Sequence, residues 1–437
     1  MNNITFDTFE KFLHSHSTDK IIPGLERIEK LLSRLDNPQN SFKAIHIVGT
    51  NGKGSTGAFL ASMFKESGYK AGFYSSPHLE SPGERLLING ETLSADEWMN
   101  AAEIVAEKIF PDEDLPSYFE LLTACAFLLA REKNIDVGII EAGLGGKLDA
   151  TNTMNNIACS VIASVSIDHT EYLGNSLESI AGEKFAVVRE NTPACFSGLD
   201  ASLTEMFRHV CSERSAIPFV VSESSHAYNI IISPEGNSFD FYSPNLEIKN
   251  VRTSLTGKYQ INNAMLALSA ISLVKDSFRN ITNDSILRGM FKAKWPGRLE
   301  IISHEPLIIL DGGHNYDGVM KLCMSIKDLW PDKRTGVVYA AMRDKNYSGC
   351  LELLNHYLSP SLYVTTVPGM ARAASPDELL NAAKKFSWRS LRAFDEPLKA
   401  VNESVNDKND ITLVCGSLYM IGYVRSKISC TYANKNT

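Results

Sequence analysis

Chemistry is concentrated at a few places in this chain. The first is Gly49-Thr50-Asn51-Gly52-Lys53-Gly54-Ser55-Thr56, entered from the apolar run Ile45–Val48 and left by a helical pattern. Strand, glycine turn and helix form the context of a phosphate-binding loop. Glycines let backbone N–H groups turn onto phosphate oxygens, and the new helix adds its positive N-terminal end. Lys53 would supply a point charge, and Ser55 or Thr56 a hydroxyl for magnesium. The spacing is G-x-x-G-K-G-S, where G-x-x-x-x-G-K-[ST] is commoner, so a tight turn with a solvated lysine stays open.

Other chemistry-bearing residues stand at strand ends. Ala71–Tyr74 runs into Ser75-Ser76-Pro77-His78, then Pro82-Gly83-Glu84-Arg85. Ser76 also reads as a turn hydroxyl and His78 as a surface histidine. The apolar run 136–140 ends on Glu141 and the glycine loop 142–152, a place that suits a magnesium ligand. The run 160–165 ends in Ser166-Ile167-Asp168-His169. These strands would converge at one sheet edge, where α/β proteins bind ligands. Glu183-Lys184 lies on a helix and, by pattern alone, reads as a solvated face. Ser117 and Glu120 have capping-box spacing, which gives Glu120 a structural role.

The elements that must position these groups fit a two-domain α/β protein. A chain of 437 residues exceeds one ordinary core, and 44% hydrophobic with 22% charged residues is normal for a globular protein. Net charge is −8 and basic runs are absent, which argues against nucleic acid. Residues 1–20 lack an apolar signal core, and Leu413–Val424 is too short to span a bilayer. Eight cysteines without a C-x-x-C pair suggest buried, reduced thiols and a cytoplasmic protein.

In chain order, residues 6–35 read as helical with a break at Pro23-Gly24, and 94–110, 118–133, 177–189 and 261–275 as further helices. Residues 192–253 read as strand pieces at the outer, partly antiparallel end of the sheet. Trp295-Pro296-Gly297-Arg298 reads as a hinge. After it, strands at 307–310, 336–341, 362–366 and 411–415 make a smaller α/β unit. The expected division is 1–296 and 297–437, with a disordered tail at 431–437.

Taken together, these motifs resemble folylpolyglutamate synthase and dihydrofolate synthase, of the Mur-ligase family of ATP-dependent amide ligases. The resemblance runs from about Leu25 to Tyr423. It rests on the phosphate loop, Ser76–Leu79, Pro82–Arg85, Tyr118–Glu120, Glu141–Asn152, Asp168–Thr170, Glu183-Lys184, Pro296–Arg298, Asp311–Asn315 and Cys415–Ser417. It implies a P-loop-containing central domain with a mostly parallel sheet, binding ATP and a pterin or folate, and a C-terminal Rossmann-like glutamate-ligase domain. It also implies a cytoplasmic enzyme, monomeric, with small-molecule substrates and no nucleic acid or membrane partner.

The implied reaction phosphorylates a carboxylate with ATP and lets the amine of L-glutamate displace phosphate from the acyl phosphate. Two anions must then share one site, which calls for positive charge and a pair of magnesium ions. By the resemblance, Asn51, Gly52, Lys53, Gly54 and Ser55 cradle phosphates. Ser76 and Glu141 hold one magnesium ion; His169 and a carbamylated Lys184 hold the other. Asn263, Arg298 and Asp311 contact the nucleotide, the last two from beyond the hinge, with the catalytic candidate His314 beside them. Ser117, Tyr118, Phe119, Leu148, Asp149 and Ala150 line the pterin or folate pocket.

The chain departs from the family pattern at Phe185, Lys147, Tyr259 and Tyr316. Phe185 and Lys147 are expected where acceptor choice is made. A ligase for a non-folate carboxylate and a non-catalytic ATP-binding module are the competing readings.

Overall fold

The computed structural model describes residues 4–18 and 23–432, without side chains for 429–432. The chain divides into two compact units. The first takes the residues up to Ile231, 237–254 and 260–294; the second takes 232–236, 255–259 and everything from Trp295 on.

In the first unit, strands β1 (Lys43–Val48), β2 (Ala71–Tyr74), β3 (Leu86–Ile88), β4 (Glu91–Thr92), β5 (Val137–Glu141), β6 (Ile157–Ile162), β7 (Pro193–Phe196) and β8 (Ile217–Val220) form one sheet in the order β4-β3-β2-β5-β1-β6-β7-β8. From β2 to β8 the pairing is parallel, and β3 and β4 add an antiparallel edge. β1, β2 and β5 are buried nearly throughout, as parallel strands covered on both faces must be. One face is covered by helices Phe6–Ser15, Glu26–Ser33, Ala95–Ala106 and Tyr118–Glu132 around Phe9, Trp98 and Phe127. The other carries a core of Phe185, Phe196 and Phe207. Because β2, β5, β1 and β6 are parallel neighbours, the expected polar strand ends do share one edge.

Residues 192–253 differ from expectation. β7 and β8 extend the parallel sheet, with an unforeseen helix, Ala201–Glu213, between them. β9 (His226–Ser233), β10 (Gly236–Ser243) and β11 (Leu246–Thr253) form a separate three-stranded sheet. Its β10 and β11 bury alternate side chains, and such a pattern cannot say which sheet a strand joins.

The second unit has strands β12 (Glu300–His304), β13 (Leu307–Leu310), β14 (Thr335–Tyr339), β15 (Ser361–Val364), β16 (Ser390–Ala393) and β17 (Ile411–Cys415) in the order β12-β13-β17-β14-β15-β16. Only β12 is antiparallel to its neighbour. Of the tail expected to be disordered, 433–437 lie outside the described residues, and Thr431 and Tyr432 close the last helix, Leu418–Tyr432. Seven cysteines are buried and free among the described residues, and no helix there is long and apolar enough to cross a membrane.

Candidate active site

The phosphate loop joins β1 to the helix Lys53–Glu66. The end of β6 ties it down: the Thr50 hydroxyl donates to Ser166 O (3.0 Å), and Ser164 Oγ donates to Asn51 O (3.0 Å). Gly52 sits at φ +90°, and a Cβ there would meet Asn263 Oδ1 at 2.4 Å. Asn263 Nδ2 donates to Gln260 Oε1 (2.8 Å), and Gln260 Nε2 donates to the buried Ser55 hydroxyl (3.2 Å). Gln260 thus joins the expected pair Asn263 and Ser55. The helix begins at Lys258, ahead of the expected start at 261, so Gln260 falls in its first turn, and neither that place nor its target was legible.

Lys53 Nζ donates to Gly49 O and Thr50 O at 3.1 and 3.3 Å and lies 3.7 Å from Glu141 Oε1. Glu141 is buried at the end of β5. Ser76 is half-buried two residues past the end of β2, the neighbour of β5, so both bring hard oxygen donors to one edge. This donor set fits magnesium, which takes few protein oxygens and completes its shell with phosphates and water. Among the described residues no three His, Cys, Asp or Glu side chains form a metal cluster. His169 stands apart from Glu141 in kind: it caps the short helix Thr170–Leu173 at φ +51°, its ring 40% exposed and 3.9 Å from Asp168.

Lys184 overturns the solvated-face reading. It is 3% exposed and enters no hydrogen bond or ion pair among the described residues. Burial, aided by the charge of Lys53, lowers its pKa to about 7, against the opposing pull of Asp168, Asp149 and Glu183. The Phe185 ring packs against Phe196 and Phe207 at 5.2 and 5.5 Å inside an aromatic core, while Lys147 is exposed.

On the expected acceptor side, Ser117 caps the helix Tyr118–Glu132 in a capping box with Glu120, which also pairs with Arg27 at 3.1 Å. Phe119 lies so close over Gly143 that a Cβ there would meet its ring at 2.6 Å. The Tyr118 hydroxyl donates to Glu10 Oε1 (3.4 Å). Leu148 is exposed and Ala150 buried. Asp149 is buried and occupied by its own loop, accepting from Leu144 N (2.8 Å), Thr151 N (3.0 Å) and the Thr151 hydroxyl (2.5 Å). Its carboxylate shapes the loop that carries Leu148. His78 is no surface histidine: it is half-buried, and its Nδ1 accepts from Arg85 Nε (3.2 Å).

In the second unit, buried Asp311 accepts from Gly313 N (2.7 Å), Leu299 N (2.9 Å) and the Tyr259 hydroxyl (3.2 Å). Burial raises its pKa, though nearby Arg298 opposes this. Arg298 donates to Gly297 O (3.0 Å), and His314 donates from Nδ1 to Gly312 O (2.8 Å). Asn315 caps the following helix, which needs no proline at Tyr316. Asp311 and His314 therefore stand just past the end of β13, and Arg298, just ahead of β12, is brought beside them by Gly312 N donating to Gly297 O (2.8 Å).

Comparison with known proteins adds to this geometry. A family profile described as "Mur ligase middle domain" matches residues 47–271, and one described as "Mur ligase, glutamate ligase domain" matches 297–418. A Bacillus subtilis protein named dihydrofolate synthase/folylpolyglutamate synthase is 34% identical over 95% of this chain and 97% of its own length. The crystal structure of folylpolyglutamate synthase from Thermotoga maritima is 31% identical, with a TM-score of 0.84 over 98% of this chain and 97% of that one. Escherichia coli FolC in complex with DHPP and ADP is 27% identical, with a TM-score of 0.86 over 98% of each chain.

Proposed function

We propose a function from this premise: the chain belongs to the dihydrofolate synthase and folylpolyglutamate synthase group of the Mur-ligase family, and is a ligase. It joins L-glutamate to dihydropteroate, to folates or to both, driven by ATP. The observation that carries this reading is the Lys53–Glu141 pair, 3.7 Å apart, between a glycine-lined loop and the adjacent strand end. Cation and carboxylate there meet at the edge where a triphosphate and an acid have to be brought together.

The steps follow from the residues. Backbone N–H groups of 51–55 and the helix N-terminus bind the ATP phosphates, and Lys53 turns its ammonium to them. An acceptor carboxylate oxygen attacks the γ-phosphorus, the bond to the β-phosphate oxygen breaks, and ADP leaves. The glutamate amine then attacks the acyl carbon, loses a proton, and inorganic phosphate departs, leaving an amide. Magnesium would be held by Ser76 and Glu141 and, at a second position, by His169 and carbamylated Lys184; it would supply positive charge between the anions. Asn263 holds the phosphate loop in shape, and Arg298, Asp311 and His314 serve nucleotide binding. The two domains assigned to these tasks are 1–296 and 297–437, and the chain acts as a cytoplasmic monomer.

A panel of acceptors tests the reading. ADP release is measured with dihydropteroate, tetrahydrofolate and non-folate acids, each with and without L-glutamate. Release that needs both glutamate and a pterin-containing acid is expected. Release with a non-folate acid alone would make the chain a paralogous ligase, and no glutamate-dependent release with any acid would make it a nucleotide-binding module.

A further inference from the structure

The segment from Ser75 to Arg85 is built around one carboxylate. Glu84 accepts from Leu79 N (2.7 Å), Glu80 N (3.0 Å) and Ser81 N (2.9 Å), and Ser75 N donates to Arg85 O (3.0 Å). Glu84 is thereby used up in shaping the turn and is not a counter-ion for its neighbour. Arg85 is 7% exposed. Its Nε donates to His78 Nδ1, and its two terminal nitrogens make no hydrogen bond or ion pair among the described residues.

A buried guanidinium without a carboxylate is costly unless something neutralises it. The carboxylates around it have other work. Asp149 serves three donors of its own loop, and Glu10 accepts from Tyr118. Yet Arg85 lies close enough for its charge to bear on Tyr74 and Glu10, and Tyr74 in turn feels Asp149 and Tyr118. The Tyr74 ring also lies 6.3 Å from that of Phe119. Arg85 therefore belongs with the segments assigned to the acceptor, and it faces them as a planar donor fork matched to a carboxylate.

We propose that Arg85, braced by His78, is the anion receptor of the acceptor pocket and takes a carboxylate of the acid to which glutamate is joined. The proposal rests on the functional reading above. It makes Arg85 a specificity-determining residue that separates acids from their neutral analogues.

The test is a binding titration of pteroic acid and of its methyl ester, followed by fluorescence, with ADP affinity as the check that each protein is folded. The wild-type protein is expected to prefer the acid. Arg85→Gln should lose about tenfold or more in affinity for the acid, with little change for the ester or for ADP. Arg85→Lys, which keeps a cation and most of the packing, should lose several-fold, again for the acid alone; it stands in if Arg85→Gln fails to bind ADP. Unchanged acid affinity in these variants, or equal losses for acid and ester with ADP binding intact, overturns the proposal. The two readings fail differently. If wild-type protein releases ADP with a pterin acid and glutamate but the Arg85 variants show no acid-specific loss, only the assignment of Arg85 falls. If wild-type protein binds no pterin acid at all, the functional reading falls and takes this assignment with it.

Discussion

His46 donates from Nε2 to the hydroxyl of Thr151 at 2.8 Å, and that hydroxyl donates onward to Asp149. The Thr151 proton is committed to Asp149, so the shared bond takes its proton from the histidine. Nδ1, buried in the middle of β1, has no partner among the described residues to take a second proton, and the ring is neutral. Burial, helped by the charge of Arg189, lowers its pKa to about 3. Between about pH 3 and the ordinary histidine range near 6.5 the unfolded chain binds this proton and the folded one does not. Stability then rises with pH through that window, and folding loses about 2 kcal/mol from this group at pH 5. Asp149, whose pKa burial raises, works in the opposite sense at the lower end. Denaturant midpoints at pH 7 and pH 5 check this: wild-type protein should lose about 2 kcal/mol more than His46→Gln. Equal losses would remove the histidine from the account.

Gly52 has two reasons to be glycine, its φ of +90° and the 2.4 Å approach of Asn263. Gly68 shares the first reason, at φ +83°, but has nothing within 4 Å of a built Cβ. Comparing the two separates backbone strain from steric shape. Gly68→Ala should cost about 1–2 kcal/mol of stability and leave ADP binding alone. Gly52→Ala should carry a similar strain and also weaken ADP binding at least about tenfold, because Asn263 and the loop must part. ADP titration of both variants decides it; unchanged affinity in Gly52→Ala would mean that the loop does not hold phosphate in this shape.

Glu141 faces Lys53, and its charge matters more than its outline. Glu141→Gln should keep the fold while losing about a hundredfold in turnover, since an amide is a poor ligand for a hard cation. Part of the loss should return as magnesium is raised. Near wild-type turnover at low magnesium would show that the ion is held elsewhere.

How far the sequence could be read depended on the kind of signal. β2 was legible with its bounds, because a short apolar run between turn residues leaves little choice. The capping box at Ser117 and Glu120 was legible because it is local. The neighbouring strand ends of Ser76, Glu141 and the phosphate loop followed from parallel topology. By contrast, β9, β10 and β11 were assigned to the wrong sheet, because choice of sheet is a long-range matter. Lys184 and Phe185 adjoin on one helix, and pattern could not say that both are buried, the ring in an aromatic core and the amine within reach of Lys53 and Asp168. His46 was not singled out within the apolar run Ile45–Val48. Its meaning lies in Thr151, across 105 residues of chain.

Lys184 supports the strongest prediction about chemistry. A lysine that is 3% exposed and makes no ion pair among the described residues is costly as an ammonium. With its pKa lowered to about 7, an ample share is the neutral amine near neutral pH. Only that form adds carbon dioxide, forming an N–C bond and releasing a proton to give a carbamate. The product would turn a repelled cation into an anion suited to a metal held with His169. Labelled carbon dioxide should therefore give one carbamate signal in the wild-type protein, strengthened by magnesium and nucleotide, and none in Lys184→Ala. Lys184→Ala should still bind ADP, since the phosphate loop is untouched, and should regain part of its ligase rate when a small carboxylate is supplied. Lys184→Arg should stay inactive despite its charge, because guanidinium does not form the adduct. Full activity in Lys184→Arg, or a wild-type protein with no carbamate signal under turnover conditions, would return Lys184 to the role of a buried structural amine.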